Sequence, residues 1–142
     1  MTTYVLDASV AAKWFLPVGE TLGEQAVALL NAYAAGRIAL LVPDLFWPEV
    51  GNILWKAARS GRMSMASARE AAAALLASGL RTTPAQPMVA HALEIAAEFE
   101  RTVHDAIYVA LAVESNHPLV TADERLANAM AAYFPVRWLG MM

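Results

Sequence analysis

The chain has no cysteine among its 142 residues, which excludes disulfides, thiolate metal sites and cysteine nucleophiles. That absence fits a reducing, cytoplasmic setting. Charge is sparse, at 16% of residues, and no apolar run approaches the length of a membrane span. No basic segment precedes the first apolar residues, and Asp7 interrupts them early. The N-terminus therefore reads as a first strand and not as a secretory signal. There is no glycine-rich loop to cradle a nucleotide phosphate and no serine in a GxSxG setting. His91, His104 and His117 lack the spacing of a zinc site. Repeats, linkers and low-complexity tracts are missing too, apart from the alanine run Ala71 to Ala74.

What is there is mostly apolar. A hydrophobic content of 58% argues against disorder, and the length suits a single domain, residues 1–142, with a real core. The mean hydropathy of +0.43 is high for a small soluble monomer and predicts apolar surface covered by another chain. The formal net charge is −3. With the four acids discussed below set aside it becomes +1, so charge neither supports nor excludes a nucleic-acid substrate.

Short apolar runs alternate with helical patterns. Strands are expected at residues 2–6, 38–42, 80–83, 118–121 and 136–139, the third of these being weak. Helices are expected at 9–16 (stopped by Pro17), 20–35, 44–60, 64–78, 87–100, 103–115 and 123–132. The pair 44–60 and 64–78 forms a helical hairpin joined through Gly61. This alternation implies an α/β fold, a central mainly parallel sheet covered by helices on both faces. In such sheets a ligand site lies at the carboxyl ends of the strands.

Four acids sit where solubility does not explain them. Asp7 closes the run Tyr4-Val5-Leu6, and Asp123 closes Leu119-Val120-Thr121-Ala122. Asp105 opens the apolar helix Ala106 to Ala112. Glu49 lies within the stripe Phe46, Val50, Ile53, Leu54 and Ala57. Each aspartate has a structural alternative. Asp7 and Asp123 can cap the helices that follow them, and Thr102 with Asp105 matches a capping box. Asp44 reads as an N-cap only. Glu49 is harder to explain away, because a buried unpaired carboxylate costs several kcal/mol, on the order of a small domain's stability. Carboxylates brought together from strand ends and helix starts require a cation, which points to a magnesium or manganese site. Ser9 and Thr121 could donate hydrogen bonds there, ordinary turn bonding being the alternative. The other glutamates, Glu20 and Glu114 among them, read as solvated surface.

Taken together, Val5-Leu6-Asp7-Ala8-Ser9, Pro48-Glu49-Val50-Gly51-Asn52, His104-Asp105-Ala106-Ile107-Tyr108 and Thr121-Ala122-Asp123-Glu124-Arg125-Leu126 resemble the PIN domain. Within it the chain most resembles the VapC-type ribonuclease toxins of toxin–antitoxin pairs. The resemblance runs from the first strand to near the C-terminus, and it implies a three-layer α/β/α fold and a Mg²⁺- or Mn²⁺-dependent endoribonuclease. Asp7, Glu49, Asp105 and Asp123 match the family's four acids, with Asp7 and Asp105 as the direct metal ligands. Ser9, Asn52 and Thr121 match supporting polar positions. It further implies a homodimer, which the apolar composition also suggests, and a VapB-like antitoxin; a pocket of four carboxylates attracts a cation, so an arginine of the antitoxin's C-terminal segment is expected to take the metal's place. Lys13, Lys56, Arg59 and Arg62 are candidate contacts to RNA phosphates, the alternative being basic residues favoured at helix C-termini. Two rival readings remain: a PIN nuclease of RNA processing without a cognate antitoxin, and a receiver-like phospho-acceptor module. The second lacks an acidic neighbour for Asp7 and any lysine after Lys56.

Overall fold

Strand β1 (Thr2–Leu6) ends in Val5 and Leu6, both wholly buried, and this sets its place at the centre of the sheet. Strands β2 (Ile38–Pro43), β3 (Arg81–Thr83), β4 (Leu119–Thr121) and β5 (Val136–Trp138) complete it in the order β3-β2-β1-β4-β5. Every pairing is parallel, with Val5 opposite Leu41 on one side and Leu119 on the other. The computed structural model describes residues 1–16 and 20–142.

Parallel strands need crossovers, and helices supply them on both faces. Helices α1 (Ala8–Ala12), α2 (Gly23–Ala34), α3 (Phe46–Arg59) and α4 (Met65–Leu76) follow β1 and β2. Helices α5 (Val89–Phe99), α6 (Val103–Ser115) and α7 (Glu124–Met130) complete the set. Successive strand residues point to opposite faces. Val5 and Leu119 pack with α5, α6 and α7, whereas Leu6 and Val120 pack with α1, α2 and α3. Helix α6 is buried from Ala106 through Ala112 without a break, because it is clamped between the sheet and α5. The result is the expected α/β/α sandwich, with a sheet that is entirely parallel.

The hairpin between α3 and α4 forms as expected. Gly61 turns with φ +80°, where an L side chain is disfavoured, and Ser64 caps α4 by accepting a bond from Ser67 N at 3.0 Å. Two elements are shorter than their composition suggests. Helix α1 stops at Ala12 and gives way to a turn; the expected stop at Pro17 lies outside the described residues. Helix α2 begins only at Gly23, since Leu22 adopts a left-handed φ of 62° and Glu20 is drawn off to Lys13 and Arg62. The helix expected from Pro87 opens as a 3-10 turn at Gln86–Met88. Asp44 does not cap α3: it bridges loops by accepting from Ala85 N at 3.1 Å. The strand order also differs from the 2-1-3-4-5 arrangement of receiver modules, which sets that rival aside.

Leu119 is fully buried between β1 and β5. Leu119→Ala should therefore cost about 2–5 kcal/mol through the cavity it leaves. Urea unfolding checks this, and a loss below about 1 kcal/mol would contradict the packing described.

Candidate active site

The sheet's topological switch lies between β1 and β4, where the crossovers diverge to opposite faces and leave a crevice at the strands' carboxyl ends. Asp7 follows β1 directly and stands in that crevice. Thr121 Oγ1, from the end of β4, donates to Asp7 Oδ2 at 2.6 Å, and Ser9 Oγ donates to the same oxygen at 3.0 Å. Each hydroxyl is itself oriented by an amide. Ala122 N donates to Ser9 Oγ at 3.1 Å and Asp123 N to Thr121 Oγ1 at 3.0 Å. Two amide–hydroxyl–carboxylate chains thus tie the β1 and β4 loops together through one aspartate.

Asp123 caps α7, accepting from Leu126 N at 3.1 Å through Oδ1. Its Oδ2 is turned to the Arg101 guanidinium, 3.7 Å away. Asp105 makes only half of the anticipated capping box. Thr102 Oγ1 accepts from Asp105 N at 3.1 Å, but the Asp105 carboxylate pairs with Arg101 at 3.2 Å. Glu49 reaches in from α3, and its Oε1 is a buried acceptor without a partner. Tyr108, one turn beyond Asp105 on α6, brings a buried Oη to the side of Glu49, facing that carboxylate without a well-formed hydrogen bond to it.

These carboxylates sense one another. Burial raises the pKa of Asp7 above its ordinary value, against the hydrogen bonds from Thr121 and Ser9, and the Asp105 charge adds to the rise. Burial likewise raises Glu49, followed by the Asp7 charge, while Tyr108 and His104 oppose it. Tyr108 is pushed above the usual phenol range by burial first, then by Asp7 and Glu49. The donor set is oxygen only and holds a free buried acceptor in Glu49, which suits a hard divalent cation. Among the described residues, no three acids or histidines are gathered tightly enough to grip one ion as they stand.

A PIN-domain family model matches residues 4–131. The chain belongs to the PIN-domain family. Solved structures with the same fold include PAE2754 from Pyrobaculum aerophilum, 27% identical with a TM-score of 0.72, covering 99% of this chain and 85% of that one. VapC20 of Mycobacterium tuberculosis, a sarcin–ricin loop cleaving toxin, is 18% identical with a TM-score of 0.67, over 92% of this chain and 95% of its own. VapBC2 of Rickettsia felis, bound to a DNA fragment from its promoter, is 10% identical with a TM-score of 0.66, over 96% and 98%. No curated protein matches the chain.

Around this PIN site the basic candidates are dispersed. Lys13 Nζ lies 2.8 Å from Glu20 and Arg62 Nη2 lies 2.6 Å from its other oxygen. Glu20, expected to be plain surface, is instead a half-buried counter-ion whose pKa is lowered by its bond to Lys13. Glu114 is exposed, as expected, and lies 3.1 Å from His91. Lys56 and Arg59 stand exposed in the last turn of α3, and Asn52 is exposed on the same helix. The residues that sequence reasoning missed are Arg101 and Tyr108. Signals for both were present, in a cation four residues before Asp105 and a lone hydroxyl in an otherwise apolar helix.

A raised carboxyl pKa means the folded state holds its proton more tightly than the unfolded chain. Stability is then full below the ordinary value of 3.8 for Asp7 and is lost as pH rises through the folded value. Asp7→Asn, whose amide oxygen can still accept from Thr121 and Ser9, should stabilise the metal-free protein at pH 7 and have little effect near pH 4. Melting curves of both proteins in EDTA check the sign, and destabilisation at pH 7 would contradict the account.

Proposed function

We propose that this PIN domain is a divalent-metal-dependent endoribonuclease, the toxic member of a toxin–antitoxin pair. The observation that carries the proposal is the convergence of Asp7, Glu49 and Asp105 on the β1/β4 switch point, close enough that the Asp105 charge acts on Asp7 and the Asp7 and Asp105 charges act on Glu49. A pocket of that kind is electrostatically expensive unless a cation works in it. Asp7 and Asp105 would hold Mg²⁺ or Mn²⁺, with Asp123 and Glu49 completing the site directly or through water. When bound, such an ion supplies a water of lowered pKa and a positive charge beside the leaving oxygen of a phosphodiester.

The chain's own groups do the positioning. Thr121 and Ser9 hold one Asp7 oxygen and leave the other with only a long 3.5 Å contact to Ser9 N. Glu49 keeps a buried oxygen without a hydrogen-bond partner, acceptor capacity that a bound ion or its water would satisfy. The toxin reading is supported by the fold shared with VapC20, with VapBC2 and with a toxin–antitoxin complex from Klebsiella pneumoniae, at a TM-score of 0.60. The expected partners are RNA, a VapB-like antitoxin and a second copy of the chain. Exposed apolar side chains, including Trp55, Leu76 and Leu93, offer surface for protein contacts.

Purified protein should cleave RNA with Mn²⁺ or Mg²⁺ and stop when EDTA is added. Asp7→Asn and Asp105→Asn should lower the rate by about a hundredfold or more while melting as folded proteins. Undiminished cleavage by Asp105→Asn would remove that residue from the site. Co-expression of a short adjacent reading frame should relieve growth arrest; an absent neighbour would favour a nuclease of RNA processing. Light scattering should give twice the 15.3 kDa chain mass, and a strictly monomeric mass would count against the dimer.

A further inference from the structure

Arg101 has no role in the site described so far, yet it contacts more of the acids than any other basic group among the described residues. Its Nη2 lies 3.2 Å from Asp105 Oδ2 and 3.7 Å from Asp123 Oδ2. One guanidinium therefore bridges the start of α6 and the start of α7. We infer that Arg101 is the resident counter-ion of the acidic site, and that a divalent cation engages Asp105 and Asp123 by displacing it. The inference rests on the metal reading above and adds an exchange step to it.

The backbone holds Arg101 in place for this role. Helix α5 ends at Phe99 with Glu100 as its C-cap at a left-handed φ of 55°, and Arg101 N donates back to Ala96 O at 3.1 Å. Thr102 then caps α6. Arg101 is thus pinned between two helix caps, and its long side chain is the part left able to move. The contact it makes is serviceable but imperfect. Asp123 is beyond good hydrogen-bond distance, the pairing uses a single nitrogen instead of a bidentate fork, and the Nε–H is buried without an acceptor. An unmatched buried donor is a cost that swinging outward would remove. The side chain is 21% exposed, so a route to water exists.

The two cations compete for the same atoms. Arg101 lies along Oδ2 of Asp105, whose carboxylate caps no helix, and Oδ2 of Asp123, the oxygen left over from capping α7. A divalent ion binding there would meet a like charge at close range unless the guanidinium withdrew. A guanidinium neutralises one charge with directional N–H bonds. Mg²⁺ or Mn²⁺ carries twice the charge and takes oxygen ligands in a compact octahedron. Arg101 would hold the metal-free site together and set a threshold for filling it.

Two measurements test the exchange. Mn²⁺ titration by calorimetry should show Arg101→Gln binding about tenfold tighter than the wild type, the scale of one charge-assisted contact. Adding Asp105→Asn should weaken binding in both backgrounds. A merely structural arginine would leave affinity unchanged or reduce it when removed. In the wild type, Mg²⁺ titration followed by NMR should move the Arg101 Nε–H resonance and speed its exchange with water. Equal or weaker Mn²⁺ binding by folded Arg101→Gln would overturn the exchange alone. No binding by either protein would overturn the metal reading along with it. Should Arg101→Gln fail to fold, the wild-type resonance decides, and a signal unmoved at saturating Mg²⁺ defeats the proposal.

Discussion

A carboxylate placed at the buried end of the central strand is the constraint on which the rest of the site depends. Asp7 follows two wholly buried residues, Val5 and Leu6, so its charge stands against the core where hydration is poor. Two hydroxyls, one from the start of α1 and one from the end of β4, converge on one of its oxygens. Because those hydroxyls are aimed by amides of the β4–α7 loop, Asp7 acts as the fastening between β1 and β4. The position of Asp123 follows, since Asp123 N is one of the amides in the chain. Helix α6, buried from Ala106 to Ala112, then brings Asp105 and Tyr108 to the same crevice, and α3 brings Glu49.

That arrangement trades stability for chemistry. Burial raises both Asp7 and Glu49, helped by the Asp105 charge on Asp7 and by the Asp7 and Asp105 charges on Glu49, which is the wrong direction for a structural carboxylate and the expected one for a site awaiting positive charge. Glu49 and Tyr108 both keep buried oxygens without a well-formed hydrogen bond. A protein selected for stability alone would fill such positions with apolar groups of the same shape. Arg101 offsets part of this tension from within the chain.

The sheet and its helices were legible because apolar periodicity changes sharply between strands and helices, and because Gly61 punctuates it. Three of the acids stood out for the same reason: each interrupts or terminates an apolar pattern. Glu49 was the clearest, as a carboxylate inside the stripe of α3. Other features depended on tertiary partners. Glu20 looked like helix surface until Lys13 and Arg62 closed on it, and that attraction accompanies the late start of α2. Asp44 had the sequence of a cap, but a loop 41 residues away claimed it. Arg101 and Tyr108 gave weak one-dimensional signals, since an arginine before a helix is ordinary and a tyrosine in an apolar run reads as core. Their meaning arises only when α6, α7 and α3 meet.

The most direct test of the central claim is to locate the ion. Crystals grown with Mn²⁺ and measured near its absorption edge should show an anomalous peak between the Asp7 and Asp105 carboxylates, within coordination distance of both. Asp123 or Glu49 should complete its shell directly or through water. A peak elsewhere on the molecule, or none at saturating Mn²⁺, would contradict the account.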